Sequence, residues 1–176
     1  MGRMIQIRSG GQTGVDRGAL YAALHYEPSE RIEVFVGGYV PKGLKAEDGS
    51  VPDDVGKHLI ATKSADYRVR TRMNVEESDG TVICITAPEQ ISTGTLLTIN
   101  RCIEANKPFV VVDVSEPEDN VAAFIVEWTR NAFDEGADLD INFAGPRESK
   151  VPGIQELTRA IVDQFLCELD ISTDYD

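Results

Sequence analysis

Histidine is almost missing from this chain of 176 residues: His25 and His58 are the only two. One falls late in a helical pattern, the other in a polar loop, and neither has a second ligand at metal spacing or a nucleophile near it in sequence. Metal sites built on imidazole and Ser/His/Asp chemistry are therefore without support. Cysteine is scarce as well. Cys84, Cys102 and Cys167 are odd in number and far apart, with no CxxC pair. They read as three buried thiols in a reducing compartment, which predicts a cytoplasmic location. No apolar run approaches the ~20 residues needed to cross a bilayer. The N-terminus lacks the basic-then-apolar plan of a signal peptide. No N-x-[ST] sequon occurs, and Gln6 spoils the M-G-x-x-x-[ST] lipidation pattern.

Basic residues are outnumbered, 17 Lys and Arg against 30 Asp and Glu, for a net charge of −13. That balance argues against nucleic acid or acidic lipid as a partner. The spread is uneven: nine acids and one base lie from Asp113 to Asp140, whereas the first 80 residues hold 11 of the 17 bases. Any anion site must be a local pocket. The acidic remainder reads as a solvated face.

What the chain does contain is an ordinary globular composition, 41% hydrophobic and 27% charged, long enough to bury one core. Apolar strand runs begin at Met4, Val34, Thr81, Phe109 and Asp140, and helical patterns occupy roughly 14–26, 65–77, 94–106, 119–134 and 152–169. In the last helix Ile154, Leu157, Ile161 and Phe165 form the apolar stripe. This alternation predicts a single α/β domain over residues 1–171, a doubly wound parallel sheet of about five strands with helices on both faces, Rossmann-like. Residues 172–176 read as an acidic tail.

Ligands of such sheets bind beyond the carboxyl ends of the strands, and four loops fall there. The first is Ser9-Gly10-Gly11-Gln12-Thr13-Gly14, with Arg17 one helical turn on. A glycine turn between strand and helix offers N–H groups at the positive end of a helix dipole, which favours phosphate. Its spacing matches neither GxGxxG nor the P-loop. A tight turn that only glycine can make is the plain alternative. The second loop, 41–64, carries Lys42 and has the length and polarity of a lid, with a solvated surface loop the equal alternative. The third is Ser92-Thr93-Gly94-Thr95, and the fourth runs from Gly145 through Arg147 and Ser149 to Lys150. Either serine is also an ordinary helix cap. Arg70 and Asn74 share a helix face that can turn toward the same pocket, although Arg70 can equally pair with Asp66 or Glu77.

The blocks GGQTGVDRGAL, GGYVPKGLKAEDGSVP, SADYRVRTRMNVEESDGTVI, GTLLT, KPFVVVDV and NFAGPRESKVPGI together resemble the molybdenum carrier family. The resemblance implies a Rossmann-like fold related to the lysine-decarboxylase-like phosphoribohydrolases, within the SLOG group of nucleotide-handling domains. It implies molybdenum cofactor as bound cargo, an acceptor enzyme as partner, and a homo-oligomer, dimer or tetramer. A phosphorylated nucleotide-like ligand in a SLOG-type sensor or hydrolase is the alternative. The related hydrolases carry PGGxGTxxE, where the glutamate serves glycosidic cleavage. Here Gly94-Thr95 survive, but Thr98 stands at the glutamate position. Threonine cannot exchange protons near neutral pH, so the expectation is a binding protein with no catalytic residue. Its cofactor-binding set would be Gly10, Gly11, Gln12, Thr13, Gly14, Arg17, Lys42, Arg70, Asn74, Ser92, Gly94, Thr95, Arg147 and Ser149, with no metal ligand. On this reading Gly14→Val abolishes binding and spares the fold.

Overall fold

A computed structural model describes residues 2–87 and 91–171. The five apolar runs form β1 (Arg3–Arg8), β2 (Ile32–Gly37), β3 (Gly80–Ile85), β4 (Phe109–Asp113) and β5 (Leu139–Ala144). The helical patterns form α1 (Val15–His25), α2 (Tyr67–Glu77), α3 (Thr93–Glu104), α4 (Glu118–Ala132) and α5 (Ile154–Ile171). The loop after β2 is more ordered than its polarity suggests. It holds a parallel bridge of Tyr39–Val40 with Ile60–Ala61, a small hairpin of Lys45–Ala46 with Gly49–Ser50, and a helical turn at Asp53–Gly56.

The main strands are all parallel and stand in the order β2-β1-β5-β3-β4. The last strand of the chain is therefore the central one. Counted from β5 as though it came first, the order becomes 3-2-1-4-5, that of a doubly wound dinucleotide-binding sheet. The strand–helix unit that would open such a fold here closes it.

Burial explains which strands are central. Every residue of β3 is buried, and in β5 Ile141 and Phe143 are wholly enclosed, as parallel strands covered on both faces require. Ile5, Ile7, Val82, Cys84, Ile141 and Phe143 meet Val15, Ala19 and Ala22 of α1, Ile125 of α4, and Ile154, Ile161 and Phe165 of α5 in one core. α1 packs on α5 and α5 on α4, while α2 packs on α3. A second cluster of Leu20, Val40, Ala46, Val51 and Val55 fixes the loop after β2 onto α1. Each large side chain so enclosed contributes about 1.5–3 kcal/mol.

Two details depart from the sequence reading. Leu157 is 43% exposed, because the buried face of α5 runs through Thr158, Val162, Leu166 and Leu169 and leaves position 157 outside the groove. Cys167 is exposed on the same helix, while Cys84 and Cys102 are buried as expected. Burial pushes the Cys84 thiol up to about 12, which leaves it inert. No helix among the described residues is long and apolar enough to cross a membrane. The acidic tail lies outside the described residues.

Gly14, at the start of α1, packs against the loop after β5. Its φ is 81°, and Val15 N–H donates to Pro146 O at 3.2 Å across the seam. A Cβ at Gly14 would lie 2.7 Å from Glu148 N and closer still to Pro146 O. The expectation that Gly14→Val spares the fold is corrected by this contact. The substitution is expected to lower the urea-unfolding free energy by about 2 kcal/mol or more. Gly136→Ala, also at positive φ but with nothing within 4 Å, is expected to lose only about 1 kcal/mol in the same assay.

Candidate functional site

Beyond the carboxyl ends of β5 and β3 the sheet leaves a cleft of about 510 Å³, within the roughly 300–1,000 Å³ typical of small-molecule sites. It sits where the strand order reverses, with β1 and β2 on one side and β4 on the other. That is the position at which doubly wound sheets take their ligands.

Gln12, Asp16 and Arg70 form its floor. Asp16 is enclosed at the start of α1, where its Oδ2 accepts from Gln12 N–H at 3.1 Å and lies 3.3 Å from Arg70 Nη1. Burial pushes the Asp16 carboxyl above its ordinary value, against the opposing pull of Arg70, the Gln12 N–H, Ser9 and Arg17. Arg70 arrives from α2 and lies across Gly10, where a Cβ would clash with its whole guanidinium group. Among the described residues, Arg70 Nε and Gln12 Nε2 are buried donors without an acceptor. Such groups are costly and call for a partner.

The first turn of α3 makes one wall. Ser92 is its N-cap: Ser92 Oγ accepts from Thr95 N–H at 3.1 Å, and Ser92 O accepts from Leu96 N–H at 2.9 Å. Among the described residues the N–H groups of Thr93 and Gly94 meet no acceptor, and no element covers Gly94. Gly145, Pro146, Arg147 and Lys150 make the opposite wall, and Tyr67 and Thr71 stand at the rim. Three cationic side chains, Arg70, Arg147 and Lys150, two orphan side-chain donors and a helix N-terminus without acceptors among the described residues therefore surround a cavity that holds one carboxylate.

Of the residues expected from sequence, Gln12, Arg70, Ser92, Gly94, Thr95 and Arg147 line this cleft. Three N–H groups of the opening turn are taken by side chains. Gln12 N–H donates to Asp16, Thr13 N–H to Gln12 Oε1 at 3.0 Å, and Gly14 N–H to Gln155 Oε1 at 3.3 Å. Gly10 and Gly11 serve close packing, against Arg70 and against Val40 and Val51. Arg17 is also spent elsewhere. It grips Asp48 through two hydrogen bonds of 2.5 and 2.8 Å and donates to Gly11 O. Asn74 exchanges two hydrogen bonds with the Tyr39 backbone at 2.7 and 2.9 Å. Lys42 is exposed on a turn outside the cleft, and Thr13 and Ser149 hold Glu47 beside it. Arg70 pairs with neither Asp66 nor Glu77, because α2 turns it inward to Asp16.

The binding set expected from sequence left out Asp16, Tyr67, Thr71, Thr98 and Lys150, although Lys150 stood in the fourth loop and Thr98 at the glutamate position. Asp16 carried a usable signal, an acid locked between two glycines at a helix start. The rim residues carried none. Among the described residues no group of three acids, thiols or imidazoles can hold a metal ion.

The family model for the circularly permutated YpsA SLOG family matches residues 7–166. Among solved structures the chain is similar to a "Putative molybdenum carrier protein" from Syntrophus aciditrophicus SB, with 36% identity over 92% of this chain and 94% of that one and a TM-score of 0.77. No curated protein matches it.

Removing Arg70 strands a buried carboxylate, so Arg70→Met is expected to cost about 3–5 kcal/mol in denaturant unfolding at neutral pH. Asp16→Asn in the same chain is expected to restore most of that. Because folding raises the Asp16 pKa above its unfolded value, the native state binds that proton more tightly. The deficit of Arg70→Met therefore shrinks as pH falls through the folded pKa and grows as pH rises.

Proposed function

Because the chain belongs to the circularly permutated YpsA SLOG family, we propose that its cleft holds a phosphorylated heterocycle without cutting it. The cargo we infer is molybdenum cofactor or a related phosphorylated pterin, stored here and passed to an acceptor enzyme. The observation that carries this reading is the convergence of donors that meet no acceptor among the described residues. Thr93 N–H, Gly94 N–H, Gln12 Nε2 and Arg70 Nε belong to residues lining one cavity, with Arg147 and Lys150 on its wall. The phosphate is assigned to the α3 terminus, where N–H bonds and dipole act together. Arg147 and Lys150 neutralise its charge, and Tyr67 flanks the ring. The solved relative described as a molybdenum carrier supports the choice of cargo.

Among the described residues nothing at the α3 wall is suited to proton transfer. Thr98 stands where related hydrolases have a glutamate, and its hydroxyl donates to Gly94 O at 3.2 Å within the helix. One observation favours a second reading. Asp16 is a carboxyl of raised pKa on the cleft floor, the environment of a general acid. On that reading the ligand is a nucleoside monophosphate or ADP-ribose-like molecule, and Asp16 protonates the departing base.

Calorimetry of the full chain against molybdenum cofactor, AMP and ADP-ribose separates the two. The carrier reading expects cofactor binding, weakened roughly fivefold by Lys150→Ala, and activation of a cofactor-free acceptor enzyme by the loaded protein. Release of free base from AMP, lost in Asp16→Asn, together with no cofactor binding, overturns it.

A further inference from the structure

The loop after β2 sends a strap, residues 41–50, back over the start of α1, and its tip behaves as a bound ligand. One oxygen of the Glu47 carboxylate accepts from Thr13 Oγ1 and from Ser149 N–H at 3.1 Å, and the other accepts from Ser149 Oγ. Arg147 Nη1 stands 3.8 Å away. Thr13 is 92% buried. These donors come from the lead-in to α1 and from the loop after β5, two segments that meet only in the folded chain. The strap is pinned on either side of the carboxylate. Glu47 N–H donates to Gln12 Oε1 at 2.9 Å, and Asp48 takes both arms of Arg17.

Every group directed at Glu47 is a donor or a cation, which is the composition of an anion receptor. Burial pulls its carboxyl up, but the hydrogen bonds from Ser149 and Thr13 and the Arg147 charge outweigh that and hold it below the usual glutamate value. It is an anion at neutral pH.

We propose that Thr13, Ser149 and Arg147 form a second oxyanion subsite, for a phosphate-like tetrahedral group, and that Glu47 fills it in this structure and is displaced when a ligand enters. A carboxylate brings two oxygens to this cradle, and Arg147 remains beyond hydrogen-bond range. A tetrahedral dianion brings more oxygens and a higher charge, so the guanidinium can close on it. Like charges bar joint occupancy, hence ligand and Glu47 compete. Arg147 also lines the cleft, so a ligand with two anionic groups spans both places. The subsite uses donors other than the α3 terminus and stands apart from the identity of the cargo.

The test titrates inorganic phosphate into the full chain and follows two sets of backbone amides, Ser149 for the cradle and Thr93 and Gly94 for the cleft. In Glu47→Ala the Ser149 amide is expected to saturate at roughly tenfold lower phosphate than in the parent. The gain is expected to persist when Lys150→Ala weakens the cleft. No gain at Ser149, or a response confined to Thr93 and Gly94, overturns the proposal. Asp48→Asn frees the strap from Arg17 and leaves the cradle intact, so it gives the same comparison if Glu47→Ala does not fold. Tighter phosphate binding at Ser149 supports the subsite, and unchanged binding overturns it.

Discussion

A carboxylate enclosed beneath the open ends of a parallel sheet has to be paired, and the Asp16–Arg70 contact meets that need by joining the two helix layers. Asp16 belongs to the layer of α1, α4 and α5, Arg70 to the layer of α2 and α3. The pair crosses over Gly10, whose missing side chain is the space the guanidinium occupies. With those three residues in place the floor of the cleft is set: Asp16 holds the Gln12 backbone N–H, and the Gln12 side-chain Oε1 accepts from Thr13 N–H and Glu47 N–H. The Gln12 side-chain Nε2 has no acceptor among the described residues and belongs to a residue that lines the cavity.

The chemistry is thus divided between two turns that look alike in sequence. The glycine-rich turn after β1 is mainly an instrument of packing. The N–H groups of Gln12, Thr13 and Gly14 are taken by the Asp16, Gln12 and Gln155 side chains, and its glycines admit Arg70, Val40, Val51 and the loop after β5. In the plainer turn after β3, with one glycine and three hydroxyl residues, the Thr93 and Gly94 N–H groups meet no acceptor among the described residues. Ser92 satisfies Thr95 and Leu96 but not the two residues before them.

Local pattern made the elements legible. Apolar runs placed all five strands, and helical periodicity placed the five helices, because burial on a sheet selects side chains at fixed spacing. The strand order was not legible, since it depends on β5 pairing with β1 and β3, contacts remote in sequence. The same limit applied at the site. Ser92, Gly94, Thr95 and Arg147 were found because strand-end turns announce themselves. Arg17 was misread, because its partner Asp48 comes from a loop whose path no periodicity records. Asp16 was overlooked as a commonplace acid of a first helical turn.

The central position of the last strand reaches back to how the molecule is made. A ribosome delivers β1, β2, β3 and β4 before β5 exists, so β1 and β3, which never pair with each other, wait with open hydrogen-bonding edges. The nascent chain can form two strand pairs, β1 with β2 and β3 with β4, but no continuous sheet. Only when Leu139–Ala144 slides between them do both halves acquire a common middle, and the same segment brings Arg147 and Lys150 to the cleft. The sheet and the cleft are therefore completed together, once β5 is in place, and until then the open strand edges are exposed to aggregation.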